Sequence, residues 1–490
     1  MMFIADKIIY RDDDKFIKLY IGDDLVWEKT NVEDNKYVTF TAEENLSSIG
    51  LARLSSNQVL EYSIDTINWQ PMNTDITICL PNVGDEVYVR GKLSGNNSDT
   101  DKNTCFKMTG KIAAYGNCNA IWDYEDLNAP LKDYCGYKMF YNCTSLVEAP
   151  KLPATELAEG CYDWMFASCT SLVYAPELPA TTLTEYCYEN MFYECYNLKT
   201  VPDLLATTLA YGCCRYMFSK CTSLTTIPVL HATTLAEACY VSMFESCTSL
   251  TKAPELPATV LAESCYDSMF RGCTALTEAP KLPATTLTSC CYRFMLQNCT
   301  SLTTAPELPA TTLAVQCYAS MFRGCTALTE APELPTIELA DDCYMNMFCE
   351  CYNLKTAPEL PATELADSCY KSMFSGCVGL TKAPDILPAT TLDNSCYNAM
   401  FSSCFKLTKA PILPAKILTP HCYEYMFIFC NSLNEITCLA TDISATDCLT
   451  SWVYGGASYE GTFYKAPGVE WPNNSSGIPP EWTVVDYEET

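Results

Sequence analysis

The residues best placed to do chemistry are cysteines. Twenty-four of the 32 stand four residues before or four residues after a recurring methionine, as Cys265 and Cys273 flank Met269. That density first suggests a disulfide framework. Eight residues of helix would, however, separate the two cysteines of a unit by ~12 Å, past the ~7 Å that a bridge spans between Cα atoms. Equivalent cysteines of neighbouring units would run parallel in a ladder rather than face one another. Zinc is disfavoured too, because no C-x-x-C pair has a histidine partner and the chain holds only His231 and His421. The preferred reading is a small buried hydrophobe. Reduced thiols fit an N-terminus, Met1 to Lys7, that does not read as a secretory signal peptide. Eight cysteines lie off the columns: Cys79, Cys105, Cys118, Cys214, Cys290, Cys349, Cys438 and Cys448. Cys290 and Cys349 are the candidates for exposed thiols.

Other catalytic groups are scarce. His231 stands where sibling units carry proline and His421 in a variable slot, so no Ser-His-Asp set can be assembled. Thiol catalysis would need a histidine neighbour and an electropositive setting. Carboxylates form columns, one at Glu177, Glu255, Glu307, Glu333 and Glu359, another at Glu159, Glu185, Glu237, Glu263, Asp341 and Asp367. They recur because the unit recurs, so a wet surface that discourages end-to-end association is preferred over a hydrolase pair. No catalytic residue, metal or cofactor is expected. With 59 Asp and Glu against 30 Lys and Arg, the net charge of -29 argues against nucleic acid as a partner. No apolar stretch approaches 18 residues, which argues against membrane insertion.

These residues must be positioned by a repeat. Met139, Met165, Met191, Met217, Met243, Met269, Met295, Met321, Met347 and Met373 are 26 residues apart, and Met400 and Met426 continue the series after one 27-residue step. The averaged unit is C-Y-x-x-M-F-x-x-C-T-S-L-T-x-A-P-E-L-P-A-T-T-L-A-x-x. One such unit cannot bury its apolar side chains alone, whereas stacked neighbours make a continuous core. The spacing of Cys265, Met269 and Cys273, thickened by Phe270 and Leu276, predicts a helical turn or two with one buried stripe. The Ala-Pro-Glu-Leu-Pro stretch that follows is predicted to be extended, with Leu256, Leu308 and Leu360 turned inward. The fold class expected is an α/β repeat solenoid, leucine-rich-repeat-like, of twelve 26-residue coils over residues 126–437, preceded by a small all-β domain.

The string Phe270-Arg-Gly-Cys273-Thr-Ala-Leu276-Thr-Glu-Ala-Pro-Lys-Leu282-Pro283 resembles the BspA-like leucine-rich repeats of bacterial surface proteins. In that family the first cysteine position is usually Ile, and Ala-Phe stands where this chain has Met-Phe. The resemblance implies a repeat fold over about two thirds of the chain. For function it implies only a range of adhesins and surface proteins.

At the front, residues 1–30 read as a β-hairpin, with Lys18 to Ile21 and Leu25 to Trp27 flanking a Gly-Asp-Asp turn. This opening resembles those of phage virion proteins. Residues 31–125 alternate in period two and predict a small β-sandwich. The polar loop from Ser94 to Asp101 lacks the spacing of an EF-hand and is read as a solvated hairpin tip rather than a calcium loop. After Cys438 the repeat is expected to stop, leaving residues 438–490 as an irregular cap like the endings of BspA-like proteins.

Within the repeat the core columns hardly change, whereas the two positions before each Met and the two after each Phe vary. Trp164, Tyr193, Tyr216, Arg271, Phe294, Arg323 and Tyr425 are the candidate binding residues there, because aromatics and arginine are enriched at interface centres. Free variation at solvated positions is the competing explanation. The expectation is a non-catalytic attachment protein, a phage virion fibre or receptor-binding component made in the host cytoplasm. Its solenoid would contact a bacterial surface protein or glycan, and its β domain other virion proteins. The alternatives are a BspA-like adhesin on the bacterial cell surface, a structural spacer, and a glycan-processing enzyme.

Overall fold

The structure, a computed structural model, describes residues 36–95, 103–455, 458, 460–474 and 476–488, together with the backbone of three strands between residues 7 and 28. The polar loop read as a hairpin tip falls largely on residues 96–102, outside the described residues.

The segment from Ala262 to Cys273 shows how a coil is built, and it is not the predicted helix. Cys265, Asp267, Met269, Arg271 and Cys273 each donate their N–H to the carbonyl three residues back, at 3.0–3.3 Å. The N–H groups in between cross to the next coil: Tyr266 to Cys291, Ser268 to Arg293, Phe270 to Met295 and Gly272 to Gln297, at 2.7–3.1 Å. An α-helix satisfies its own donors four residues back and has none left for a neighbour. Here the chain forms consecutive turns, and every second amide stitches coil to coil. Each fourth residue is left-handed, with φ of 54° at Ser264, 58° at Ser268 and 73° at Gly272. Each of these precedes a core residue, Cys265, Met269 or Cys273. A four-residue turn repeat therefore presents the same apolar side as a helix would, which is why the spacing misleads. Among the described residues the only α-helix is α1, Asn119–Trp122, outside the repeats.

The opposite edge of each coil is extended, and prolines confine it to short parallel bridges such as Lys252 to Glu278 and Glu278 to Thr304. Leu256, Leu308 and Leu360 are buried there. Between the two edges, side chains stack in columns. Phe140 lies on Phe166 at 5.3 Å and 1°, Phe244 on Phe270 at 5.7 Å and 3°, and Tyr266 on Tyr292 at 5.9 Å and 4°. The second cysteine column has a specific task. Cys273 Sγ donates to the Phe244 carbonyl of the preceding coil at 3.1 Å, and the same bond recurs from Cys169 to Phe140 and from Cys430 to Phe401. A small apolar side chain that still carries one weak donor fits that position.

The β region forms a three-stranded sheet of β5 (Ser47–Arg53), β8 (Thr77–Leu80) and β10 (Cys105–Thr109), ordered β10-β5-β8. It also forms a six-stranded sheet of β4 (Val38–Ala42), β6 (Gln58–Ser63), β7 (Gln70–Met72), β9 (Glu86–Leu93), β11 (Ile112–Tyr115) and β12 (Leu146–Glu148), ordered β12-β11-β4-β9-β6-β7. β12 belongs to the repeat region and pairs in parallel with β11, so the sheet runs from one region into the other. Phe106 acts as a member of the phenyl column. It stacks on Phe140 at 5.2 Å and 9°, donates its N–H to Met139, and accepts from Cys143 Sγ at 3.3 Å. The raw end of the stack is thereby covered by a side chain of the kind it would otherwise expose.

At the other end the 26-residue step does not stop at Cys438. Cys448 and Trp452 follow Cys422 and Met426 by one repeat, and their carbonyls accept from Tyr423 and Phe427 at 3.0 and 2.7 Å. Trp452 takes the methionine's place, fully buried, and stacks on Trp471 at 5.9 Å. The extended edge continues as a parallel sheet of β13 (Lys409–Leu413), β14 (Glu435–Cys438), β15 (Thr462–Lys465) and β16 (Thr483–Asp486). In the first residues β1 (Lys7–Asp12), β2 (Lys15–Ile21) and β3 (Asp24–Glu28) form an antiparallel sheet in that order, one strand more than the predicted hairpin. Gly22 and Asp23 of its turn lie outside the described residues.

Candidate functional site

The seven candidate residues occupy two columns of the turn ladder. Trp164, Tyr216, Phe294 and Tyr425 immediately precede a methionine, and Tyr193, Arg271 and Arg323 immediately follow a phenylalanine. The first column is left-handed: φ is 55° at Trp164, 55° at Tyr216, 54° at Phe294 and 57° at Tyr425. Siblings fill it with Asn190, Ser242, Ser268, Ser320 and Ser372, types that tolerate the conformation or escape it with a short side chain. The left-handed backbone recurs before every repeat methionine and costs any residue with a Cβ of order 1 kcal/mol, so it belongs to the turn, whereas the aromatic side chain is an addition. The fold does not require it, since serine serves in other coils.

The structure brings some candidates together and leaves others apart. Trp164 and Tyr193 meet at 5.4 Å, with Lys138 Nζ 5.4 Å from the Trp164 ring and Lys220 Nζ 4.7 Å from the Tyr193 ring. Tyr216, Arg271 and Phe294 line one open groove of about 480 Å³. The Arg271 guanidinium lies 5.9 Å from the Phe294 ring and that of Arg293 lies 5.4 Å from the same ring. Arg323 is apart, paired with Glu350 at 3.1 Å, and Tyr425 is apart near the last coils.

Sequence reasoning marked the column two positions before each methionine as variable but missed the ion pairs it makes between coils. There Asp163, Glu189 and Arg215 are consecutive, as are Asp267 and Arg293. Arg215 donates to Glu189 Oε1 from Nε at 2.8 Å, and Arg293 donates to Asp267 Oδ2 from Nε and Nη2 at 2.9 and 2.6 Å. The opposite charges one repeat apart were the signal for these bridges. Asp163 is the exception: burial and the neighbouring Glu189 push its carboxyl up to about 8, and its Oδ1 has no hydrogen-bond partner. Burial also raises Glu189, against the pull of Arg215.

All 32 cysteines are free thiols. Burial pushes the thiols of Cys265 and Cys273 up to about 12. The expectation of two exposed off-column thiols is corrected. Cys349 is buried under the turn face, Cys290 is half-buried, and the exposed one is Cys79 at the end of the β-domain strand β8. His421 contacts Glu424 at 2.9 Å, a local pair across one turn. Among the described residues no group of three His, Cys, Asp or Glu side chains is arranged to hold a metal ion. Among them, too, no helix is long and apolar enough to cross a membrane.

Stacked units with a turn edge, an extended edge and an inward leucine define a leucine-rich-repeat protein. The chain belongs to the BspA type: the model of the BspA type leucine rich repeat region matches it in six copies, over residues 127–251, 208–329 and 238–381. No curated protein sequence matches the chain. Among solved structures, the crystal structure of a TLR13–ssRNA13 complex is similar at 15% identity with a TM-score of 0.25. That similarity covers 62% of this chain and 43% of the other, so this chain spans under half the length of that protein.

Proposed function

We propose that this protein is a non-catalytic attachment protein that uses its turn face to hold a bacterial surface. The observation that carries the reading is the placement of Trp164, Tyr216, Phe294 and Tyr425 in left-handed positions that most other coils fill with serine or asparagine. Large aromatic side chains that the turn does not need are kept where they serve recognition. Membership of the BspA type supports a binding role. Display on a phage virion is favoured by the short strands at the N-terminus and the β domain ahead of the array. Display on a bacterial cell surface is the second reading, favoured by the family itself.

The test is flow cytometry of the labelled full chain on intact bacterial cells, alongside mass spectrometry of purified virions and of cell envelopes. Cell binding together with recovery from virions supports the first reading, and recovery from envelopes alone supports the second. A protein that decorates no cell overturns both and leaves a spacer.

A further inference from the structure

The groove lined by Tyr216 and Phe294 has a shape set by one column of side chains. Those two rings stand three coils apart, and Ser242 and Ser268 hold the same position in the two coils between. Both serines are nearly buried, at 3% and 7% exposure, so the floor is flat while the aromatic walls rise at each end. The coils advance by 5.6–5.9 Å, as judged by their stacked rings. Polar groups converge on the floor. Arg293 and Asp267 form one pair on it, while Arg271 reaches Glu245 only at 3.8 Å and stays half-exposed. Glu237 lines the same groove.

We propose that this groove binds an uncharged oligosaccharide laid along the stacking direction of the coils. The proposal rests on the attachment reading above and names the ligand class and the site. Guanidinium forks and carboxylates side by side suit vicinal hydroxyls, which donate to one and accept from the other. The rings at either end offer flat apolar faces to the C–H face of a pyranose. Repeat lengths select against a peptide: an extended chain repeats its side-chain pattern every ~6.6 Å, out of step with the coils. Charge selects against an anionic glycan, since acidic groups match the arginines within the groove and the chain as a whole carries -29.

The test is binding of the full chain to immobilised cellotetraose, mannotetraose and the N-acetylglucosamine tetramer, with tetragalacturonate as the anionic comparison. At least one neutral probe is expected to bind, and tetragalacturonate is not. Ser242→Trp is expected to fill the floor and weaken binding at least tenfold. Trp164, at φ 55° against 51° at Ser242, shows that the column accepts tryptophan in this conformation. Phe294→Ala should weaken binding similarly without adding bulk. Ser320→Trp, the same insertion in a coil beyond Phe294, should leave binding unchanged. If the chain decorates cells but holds none of the neutral probes, or holds only tetragalacturonate, the oligosaccharide assignment is overturned and the attachment reading stands. If a probe binds but Ser242→Trp and Phe294→Ala bind as well as the parent, the groove is the wrong site. If neither cells nor sugars are bound, both inferences fall.

Discussion

Asp163 is a carboxyl that the fold would rather keep protonated. It is 8% exposed, faces Glu189, and has one oxygen without a partner, and these together push it up to about 8 from an ordinary 3.8. Well below the ordinary 3.8 folded and unfolded chains are both protonated there, and the group takes nothing from stability. As the pH rises the unfolded chain ionises while the folded one does not. Stability therefore falls until the pH passes about 8 and is flat beyond it. Asp163→Asn removes that dependence. Its stability should match the parent's near pH 4 and exceed it increasingly towards pH 8, by at most ~1.4 kcal/mol more for each pH unit, with the melting temperature following. Thermal melts at pH 4, 6, 8 and 9 check this, and a gap that does not change with pH would sink it. The cysteines make a second residue-scale prediction. With only Cys79 exposed, the column thiols buried, and burial pushing Cys265 and Cys273 up to about 12, a thiol reagent at pH 8 should modify one cysteine quickly in the native protein, Cys290 slowly, and all 32 after denaturation. Fast labelling of several column cysteines would contradict the burial described. The column identities were legible in the sequence, because 26-residue alignment compares each position with itself. The exposure of the off-column thiols was not. Cys349 lies within the turn face, under its neighbours, and no periodicity reveals which side of that face a single residue takes.

At the scale of the element, the sequence supported the right core and the wrong backbone. Cys265, Met269 and Cys273 are indeed buried together, but a period of four can be a helix or a chain of four-residue turns. The discriminating signal lay in the residue before each core position. Asn142, Gly160, Asn190, Gly212, Gly272 and Asn298 are types enriched in left-handed positions, whereas a helix interior has no reason to favour them. Ser372, at φ 54°, gives a test whose sign decides. In a helix, a change towards glycine loses stability through backbone entropy. In a left-handed turn, Ser372→Gly relieves the Cβ clash and should stabilise by about 0.5–1 kcal/mol. Denaturant unfolding of the two proteins measures it, and a destabilised glycine variant would return the helix. The extended edge was read correctly because Ala-Pro-Glu-Leu-Pro admits little else. The coil after Cys438 was hidden because Trp452 replaces the methionine on which the alignment was anchored.

At the scale of the whole molecule, the structure is a stack in which each coil bonds mainly to its two neighbours, so length is a variable separable from fold. Deleting residues 265–290 removes one full period and joins Ser264 to Cys291, a step that restores every column in register. Tyr240, which donates to Cys265, would then meet Cys291, the equivalent carbonyl. Deleting residues 317–342 does the same elsewhere, joining Gln316 to Cys343. Both shortened proteins should unfold in one cooperative transition close to the parent, because each loses one repeat and one interface from a nearly additive array. Solution scattering should show each shorter by about one coil step, 5.6–5.9 Å. A deletion of 13 residues from the same start would set the turn edge of one coil against the extended edge of the next and should not fold. The two full-period deletions differ in one respect. The first draws Phe294 one coil nearer to Tyr216 and removes Arg271, so it should abolish oligosaccharide binding. The second leaves the groove intact and should retain it. Equal loss in both would mean that the recognition surface spans the array rather than a groove three coils long. Failure of both to fold would mean that the coils are not interchangeable and that the stack is held by features specific to each unit.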